Sequence, residues 1–429
     1  MYRAGHLWRG SPVLYRDEVR YREEITEFAF RDNAAEINKL RAEVKGFRVC
    51  ANGCWSIVSC QGRDCGEDEK DLAEKMLSYL KDRTVCRGLA EGDMFKGHAV
   101  LGTPPSNLEE LLEVASGICE EYRGAGVSSC EFVGISKHIE RIISRDYGEA
   151  VEEKVVLDLM GAIIVERGGR RGFGSYRIAF VPTTQKVAGK FVEYVLKKAY
   201  EKALSSVRAR PLNPLAAGRA TLVLSPEAAA ALFHELSHAL EGHRPAVARG
   251  ARIGPPELEL VDEPRNPLAP SIRFFDDEGI ATSKRFLVEA GTVVDYHHTR
   301  HTAFVHKSKP GSAYGLFRVP TPFHTTLVVG RGDWGDREIV EETPRGFYID
   351  GVAMAVFERG LIRLVPENAF VIERHEIRQP IMLRSIKIPL AKLSTISAIG
   401  RRQLLRVSDE KDHLVSEIAP HVRLEGYVE

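Results

Sequence analysis

The sequence predicts an α+β protein, an N-terminal mixed α/β domain followed by a β-rich domain built around one metal-binding helix. Three observations carry this. Amphipathic helical patterns of any length are concentrated before residue 208, where they alternate with strand-like runs. After residue 208, short alternating runs separated by Gly, Pro, Asn and Asp dominate. One helical stretch breaks into that β-rich part, SPEAAAALFHELSHALEGH from Ser225 to His243. Helices and strands grouped in this way belong to α+β architecture.

In chain order, Glu18 to Cys60 alternates as strands do, with turns at Asp32-Asn33 and Asn52-Gly53. The Asn-Gly pair specifies a tight hairpin and sets Cys50 opposite Trp55. Residues 67–83, EDEKDLAEKMLSYLKDR, form an amphipathic helix, and 84–105 read as irregular. Ser106 is the expected cap of a second helix, SNLEELLEVASGICEEYRG. Strands return in CEFVGIS, HIERIIS and VVLDLMGAIIV. The glycine-rich run Gly168 to Gly174 reads as a hairpin tip or loop. A phosphate-binding loop would need a helix after it, and a strand follows here. Gln185 to Arg208 is a long helix with Val187, Phe191, Val195 and Ala199 at core spacing. RPLNPLAAG reads as a linker, which divides the chain into 1–208 and 209–429. Beyond it, the strand ATLVL delivers the chain into the Ser225 helix. A Pro- and Gly-rich loop, a series of short hairpins and a last helix, LAKLSTISAIG, follow.

The Ser225 helix carries the chemistry. Ser225 is a good N-cap, Pro226 suits the first turn, and Gly242 is placed to close the end. Within it lies His234-Glu235-Leu236-Ser237-His238. A helix turns about 100° per residue, so residues four apart stack on one face. His234 and His238 can therefore offer ring nitrogens to one metal ion. Glu235 stands beside them, where a general base for water activation is needed. Ala229, Leu232, Phe233, Leu236 and Leu240 gather on the opposite side as the buried face. Glu241 falls on the histidine face as a carboxylate able to hold a ring nitrogen. The plainer alternative is a helix whose histidines are merely capped by carboxylates or water.

Composition narrows the rest. Lys plus Arg and Asp plus Glu number 60 each, so charge gives no case for nucleic acid or an anionic membrane. No apolar run approaches the roughly 20 residues of a membrane span, and the first residues lack a signal-peptide core. The expected location is cytoplasmic. All seven cysteines lie between Cys50 and Cys130. Their odd number argues against a disulfide framework and for core thiols. Cys50 should face away from Cys54 and Cys60, which argues against a metal cluster there.

With these motifs in place, the sequence resembles the TldD/PmbA family of metallopeptidases over most of its length. FRVCANGCWSIVS is similar to the family's N-terminal hairpin, and LFHELSHALEG to its metal helix. Asp276-Asp277-Glu278-Gly279, then FLVEAGTVVDY and Arg300, resemble its acidic turn and following hairpin. Ser397-Ala398-Ile399-Gly400 and the strand near Pro420 resemble its closing region. The resemblance implies a zinc peptidase cutting short or unfolded peptides in an enclosed dimer cavity. It also implies pairing as a homodimer or with a PmbA-like paralogue that lacks the metal motif. The competing expectation is that this chain is itself a catalytically inactive, PmbA-like subunit that binds peptide or an active partner.

Two departures bear on the site. The family often has one more residue between the histidines, whereas the spacing here is four and suits a regular helix. The family's third ligand, a late Cys, has no counterpart, since no Cys follows Cys130. Pattern matching puts that position between about Arg406 and Asp412. Asp409, Glu410, Asp412 and His413 lie in or beside this range. His413 is the first candidate for the third ligand and Asp409 the second, with solvated loop charges as the plain alternative. Glu241 is expected to support a histidine, and His243 is poorly offset for a ligand. His297, His298 and His301 are expected at the surface or against substrate. Asp276 to Glu278 are expected to bond backbone amides in a tight turn.

Overall fold

The computed structural model describes residues 15–31, 33–51, 53–62, 66–77, 79 and 88–429. Asp32, Asn52, Cys65, Cys86, the end of the helix expected over 67–83 and the first 14 residues lie outside them. The strands β1 (Tyr15–Arg31), β2 (Ala34–Ala51) and β3 (Cys54–Gln61) form a meander, followed by α1 (Glu67–Met76). Next come β4 (Gly97–Leu101), α2 (Leu108–Arg123), the long pair β5 (Val127–Arg145) and β6 (Gly148–Arg167), then β7 (Arg170–Phe180) and α3 (Lys190–Arg208). The sheet order is β3-β2-β1-β5-β6-β4, with β7 also on β6. β4 runs parallel to residues 150–154 of β6 and β7 antiparallel to 157–167, so the two share one edge. The α2 and α3 helices bury Leu111, Ala115, Val192, Val195 and Ala199 against Phe28, Phe132, Leu157 and Leu159.

The second sheet begins at once. Arg208 ends α3, and β8 (Arg210–Pro211) already pairs with a strand of the C-terminal half. In order, the second half holds β9 (Gly218–Leu224), α4 (Pro226–His238), β10 (Leu260–Asp262), β11 (Arg285–Glu289), β12 (Thr292–Val293) and α5 (Arg300–His306). It continues with β13 (Ala313–Tyr314), β14 (Thr321–Pro322), β15 (Thr326–Val329), α6 (Asp336–Glu341), β16 (Arg345–Glu358) and β17 (Leu361–Glu373). It closes with β18 (Glu376–Met382), β19 (Ile386–Pro389), β20 (Ala398–Glu410) and β21 (His413–Val428). Twelve strands join in one sheet whose main path is β12-β11-β10-β15-β21-β9-β16-β17-β18-β8, with β19 and β20 attached. The α+β expectation holds: a mixed α/β half precedes a strand-rich half organised around α4, which touches β15, β16, β17, β20 and β21.

Several local expectations are corrected. Cys119 of α2 and Cys130 of β5 form a disulfide. Cys50 and Cys60 each take part in a disulfide as well, while Cys54 is a buried thiol. An odd count excludes only complete pairing. The helix lying on the sheet brings Cys119 and Cys130 to a Cα separation of 5.6 Å, within bridging reach. The α2 cap is Asn107, whose side chain bonds both backbone groups of Val187. Residues 390–395 form a 3-10 turn, not a full helix. Gly168 and Gly169 make the β6–β7 turn, but Gly172 and Gly174 lie inside β7. The expected register is present in β2–β3, where Cys50 pairs with Trp55.

The two halves meet at a buried junction. Arg141 of β5 donates to Asp277 Oδ1 at 2.6 Å, Glu152 Oε1 at 3.1 Å and the Phe275 carbonyl at 2.8 Å. Val19 and Ile143 pack there with Phe275 and Leu316. The fully buried Arg48 is held by Asp17 at 2.8 Å and reaches the Gly315 carbonyl. No helix among the described residues is long and apolar enough to cross a membrane.

Candidate metal centre

The α4 helix is set by local rules. The Ser225 hydroxyl accepts from the Ala228 amide, and Pro226 opens the first turn. The helix ends at His238, earlier than expected. Gly242 lies beyond the end, and its N–H bonds the His297 carbonyl at 3.0 Å. The expectation of one exposed face also fails. Every residue from Ala228 to Ser237 is buried, His234, Glu235 and Ser237 included. Polar side chains so enclosed need partners, and these turn out to define the site.

His234 Nδ1 lies 2.7 Å from Glu417 Oε1, and His238 Nδ1 lies 2.7 Å from Glu241 Oε1. A carboxylate acceptor fixes the proton on Nδ1 in each ring and leaves the Nε2 lone pair for a metal. Glu417 is anchored in turn by Arg406 at 2.9 Å and the Ser408 hydroxyl at 2.8 Å. Burial works against its charge, but the Arg406 charge and the His234 hydrogen bond hold its carboxyl well below the usual range. Glu241 takes a second contact from Lys411 Nζ at 3.0 Å. Burial opposes a charge on His238 too, yet the Glu241 contact raises its pKa.

A buried chain continues from Glu417. His324 Nε2 lies 3.3 Å from Glu417 Oε1, and Ser237 Oγ lies 2.8 Å from both His324 Nδ1 and His297 Nε2. Burial pushes His324 down to about 4, so the ring is neutral. The hydrogen-bond pattern then assigns its proton to Nε2. Ser237 donates to His324 and accepts from His297 Nε2–H. His297 Nδ1 is left without a hydrogen-bond partner, 3.8 Å from Asp262 Oδ2. His297 and His298 are thus fully buried, not at the surface. His298 rests on Asp295 and Thr302.

The third-ligand candidates separate sharply. Glu410, at the end of β20, forms a group with His234 and His238 whose ligand atoms all lie within 4.8 Å of one another. The structure does not bring His413 or Asp409 there. His413 Nε2 lies 3.1 Å from Asp277 Oδ2, and Asp409 accepts from Arg177 at 2.6 Å. Pattern matching reached this turn, but the chain direction at each residue decides which side chain faces the histidines. A second group, His234, His324 and Glu417, is close enough to hold an ion, but its atoms already bond one another. His243 sits 3.3 Å from Glu241. The acidic turn behaves as expected: Asp276 accepts from the Glu278, Ile280 and Ala313 amides, Asp277 from Gly315 and Glu278 from Arg300. Glu417, His324, His297 and Ser237 were missed as supporting residues. Only Ser237 lies in the motif, and single His or Glu residues on distant strands leave no pattern to read.

Two imidazoles, each oriented by a carboxylate, and a third carboxylate are a donor set that fits a divalent metal. A glutamate stands beside the histidines, so candidate metal ligands and a candidate carboxylate base share one helix. Residues 217–428 match the model of the PmbA/TldA metallopeptidase C-terminal domain. This C-terminal half belongs to the TldD/PmbA family. The chain is 24% identical to a metalloprotease of Methanocaldococcus jannaschii over 61% of this chain and 58% of that one. It is 26% identical to a metalloprotease of Archaeoglobus fulgidus over 72% of each. In fold it is similar to TldE from Thermococcus kodakarensis, with a TM-score of 0.77, 19% identity and 96% of both chains covered. A Thermotoga maritima protein described as a putative modulator of a DNA gyrase is equally similar, with a TM-score of 0.77, 19% identity and 96% and 95% covered.

Proposed function

We propose that this protein is a zinc-dependent peptidase in which His234, His238 and Glu410 hold the metal and Glu235 is the general base. The observation that carries the reading is the pairing of both helix histidines, through Nδ1, with carboxylates. A merely structural histidine pair has no need of two such acceptors. Bound zinc supplies Lewis acidity toward water and the peptide carbonyl. Glu235 takes the proton of the attacking water and passes it to the leaving amine. Glu417 and Glu241 keep the rings in one tautomer and stabilise the positive charge they share with a cation. Short or unfolded peptides are the proposed substrates, and the proposed active form is a homodimer or a heterodimer with a PmbA-like paralogue.

Metal analysis of the purified protein should find about one zinc per chain, lost in His234→Ala and His238→Ala. Glu235→Gln should keep the metal and lose peptide hydrolysis by two or more orders of magnitude, roughly. A Gln variant as active as wild type would sink the mechanism. A wild type that binds no metal would favour the inactive-subunit alternative.

A further inference from the structure

Glu410 stands at the tip of a hairpin whose other tip residues are all engaged elsewhere. The β20–β21 register pairs Glu410 directly with His413 and Asp409 with Leu414. Lys411 and Asp412 form the turn between them, both with positive φ, 52° and 66°. Such a two-residue turn fixes the strand ends but not where the tip points relative to α4. That is set by the side chains around Glu410. Lys411 reaches Glu241 Oε2 and the Pro322 carbonyl, and lies over the Phe323 ring. Asp409 is held by Arg177 of β7, which also grips Asp158 of β6 at 3.0 Å. His413 is held by Asp277, which is fully buried and fixed by Arg273 and by Arg141 of β5. Arg177, Asp158, Arg273, Asp409 and His413 line one cavity at the junction of the two halves.

We infer that the N-terminal half positions the third metal ligand: Arg177, through Asp409, and Arg141, through Asp277 and His413, hold the turn that presents Glu410 to His234 and His238. This rests on the metal reading above and adds a requirement to it. The helix supplies two ligands by itself, but the third is delivered by a tip clamped from the neighbouring half. Arg177, Asp409 and His413 are positioning residues, and none of them is a ligand. The two residues expected from sequence as ligands thus keep a role at the site, one step removed.

The test uses the full-length protein loaded with Co(II), whose visible absorption reports the ligand set, together with affinity from chelator competition. Glu410→Ala should bind Co(II) far more weakly and change the spectrum at saturation. Arg177→Ala and His413→Ala should each weaken binding by about tenfold while the saturated spectrum stays that of wild type, as loss of support without loss of a ligand requires. His413→Gln, which can still donate to Asp277, should recover most of the affinity. Asp409→Asn, a change at an exposed site that folding tolerates, should repeat the Arg177→Ala effect. If Arg177→Ala, Asp409→Asn and His413→Ala all bind as wild type while Glu410→Ala does not, the positioning inference falls and the ligand assignment stands. A changed saturated spectrum in His413→Ala would make His413 a ligand and overturn the inference. Wild-type binding by Glu410→Ala would remove the ligand assignment and this inference together.

Discussion

Asp262 shows what burial does to one side chain behind the centre. Its Oδ1 accepts from the Thr325 and Thr326 amides at 3.0 Å, and its Oδ2 faces the bare His297 nitrogen. Burial pushes its pKa up to about 7, against the pull of those amides. The folded state therefore keeps a proton that an unfolded aspartate has released above about pH 4. Its contribution to stability falls as pH rises from about 4 to about 7, then levels. Asp262→Asn keeps an acceptor for the two amides and removes the ionisation. Its stability relative to wild type should rise across that window, reaching on the order of 4 kcal/mol by pH 8. Urea unfolding of both proteins at pH 5 and pH 8 measures this, and a pH-independent difference would refute the assignment. Asp262 could not be read from sequence, and the contrast with His234 and His238 says why. Two histidines four apart on a helix are visible because the helix sets their geometry locally. Glu410 and His413 differ only in which way a hairpin tip turns, and tertiary contacts decide that.

Elements were legible where one residue period ran long enough. The alternation in β1 and β2 and the apolar stripe of α3 gave their types directly. The short β4, added in parallel to β6, has five residues and no signal of its own. The burial of α4 on all sides was hidden because its polar residues look like a solvent face until Glu417, Ser408 and His324 meet them. Close packing of α3 on β7 was missed for a similar reason, since the glycines of that strand read as loop. A Cβ on Gly174 would lie 2.2 Å from the Ala199 carbonyl and 2.4 Å from the Ala203 nitrogen, backbone atoms that cannot move aside singly. Gly174→Ala should therefore lift the helix and cost about 3 kcal/mol or more. Gly117, exposed on α2 with open space around it, should respond oppositely. Gly117→Ala should gain roughly 0.5–1 kcal/mol by stiffening the unfolded chain. Equal melting temperatures for the two variants would contradict the close-packing account.

At the scale of the whole molecule, two cores must act as one for the Glu410 turn to stay in place. The N-terminal core lies between α2, α3 and their sheet, and the C-terminal core surrounds α4. Between them the buried apolar contact falls into two small clusters, one around Val19, Ile143, Phe275 and Leu316 and one of Val156, Ala179 and Val407. The ionic cluster of Arg141, Glu152, Asp277 and Arg273 therefore carries much of the specificity of docking. Arg141 is its hinge, since it alone bonds Glu152, Asp277 and the Phe275 carbonyl together. Removing one member of a buried ionic cluster leaves its partners desolvated and under-paired, which costs more than the intact pair contributes. Arg141→Ala should lose about 3–5 kcal/mol. Calorimetry should show the loss as a lower melting temperature and, where the halves uncouple, a second transition. Arg31, paired with Glu27 and Glu36 at the surface, provides the control. Arg31→Ala should stay within about 1 kcal/mol of wild type, as exposed pairs do. If Arg141→Ala melts with the Arg31 variant, the junction is held by its apolar contacts, and the ionic cluster serves only to orient the halves.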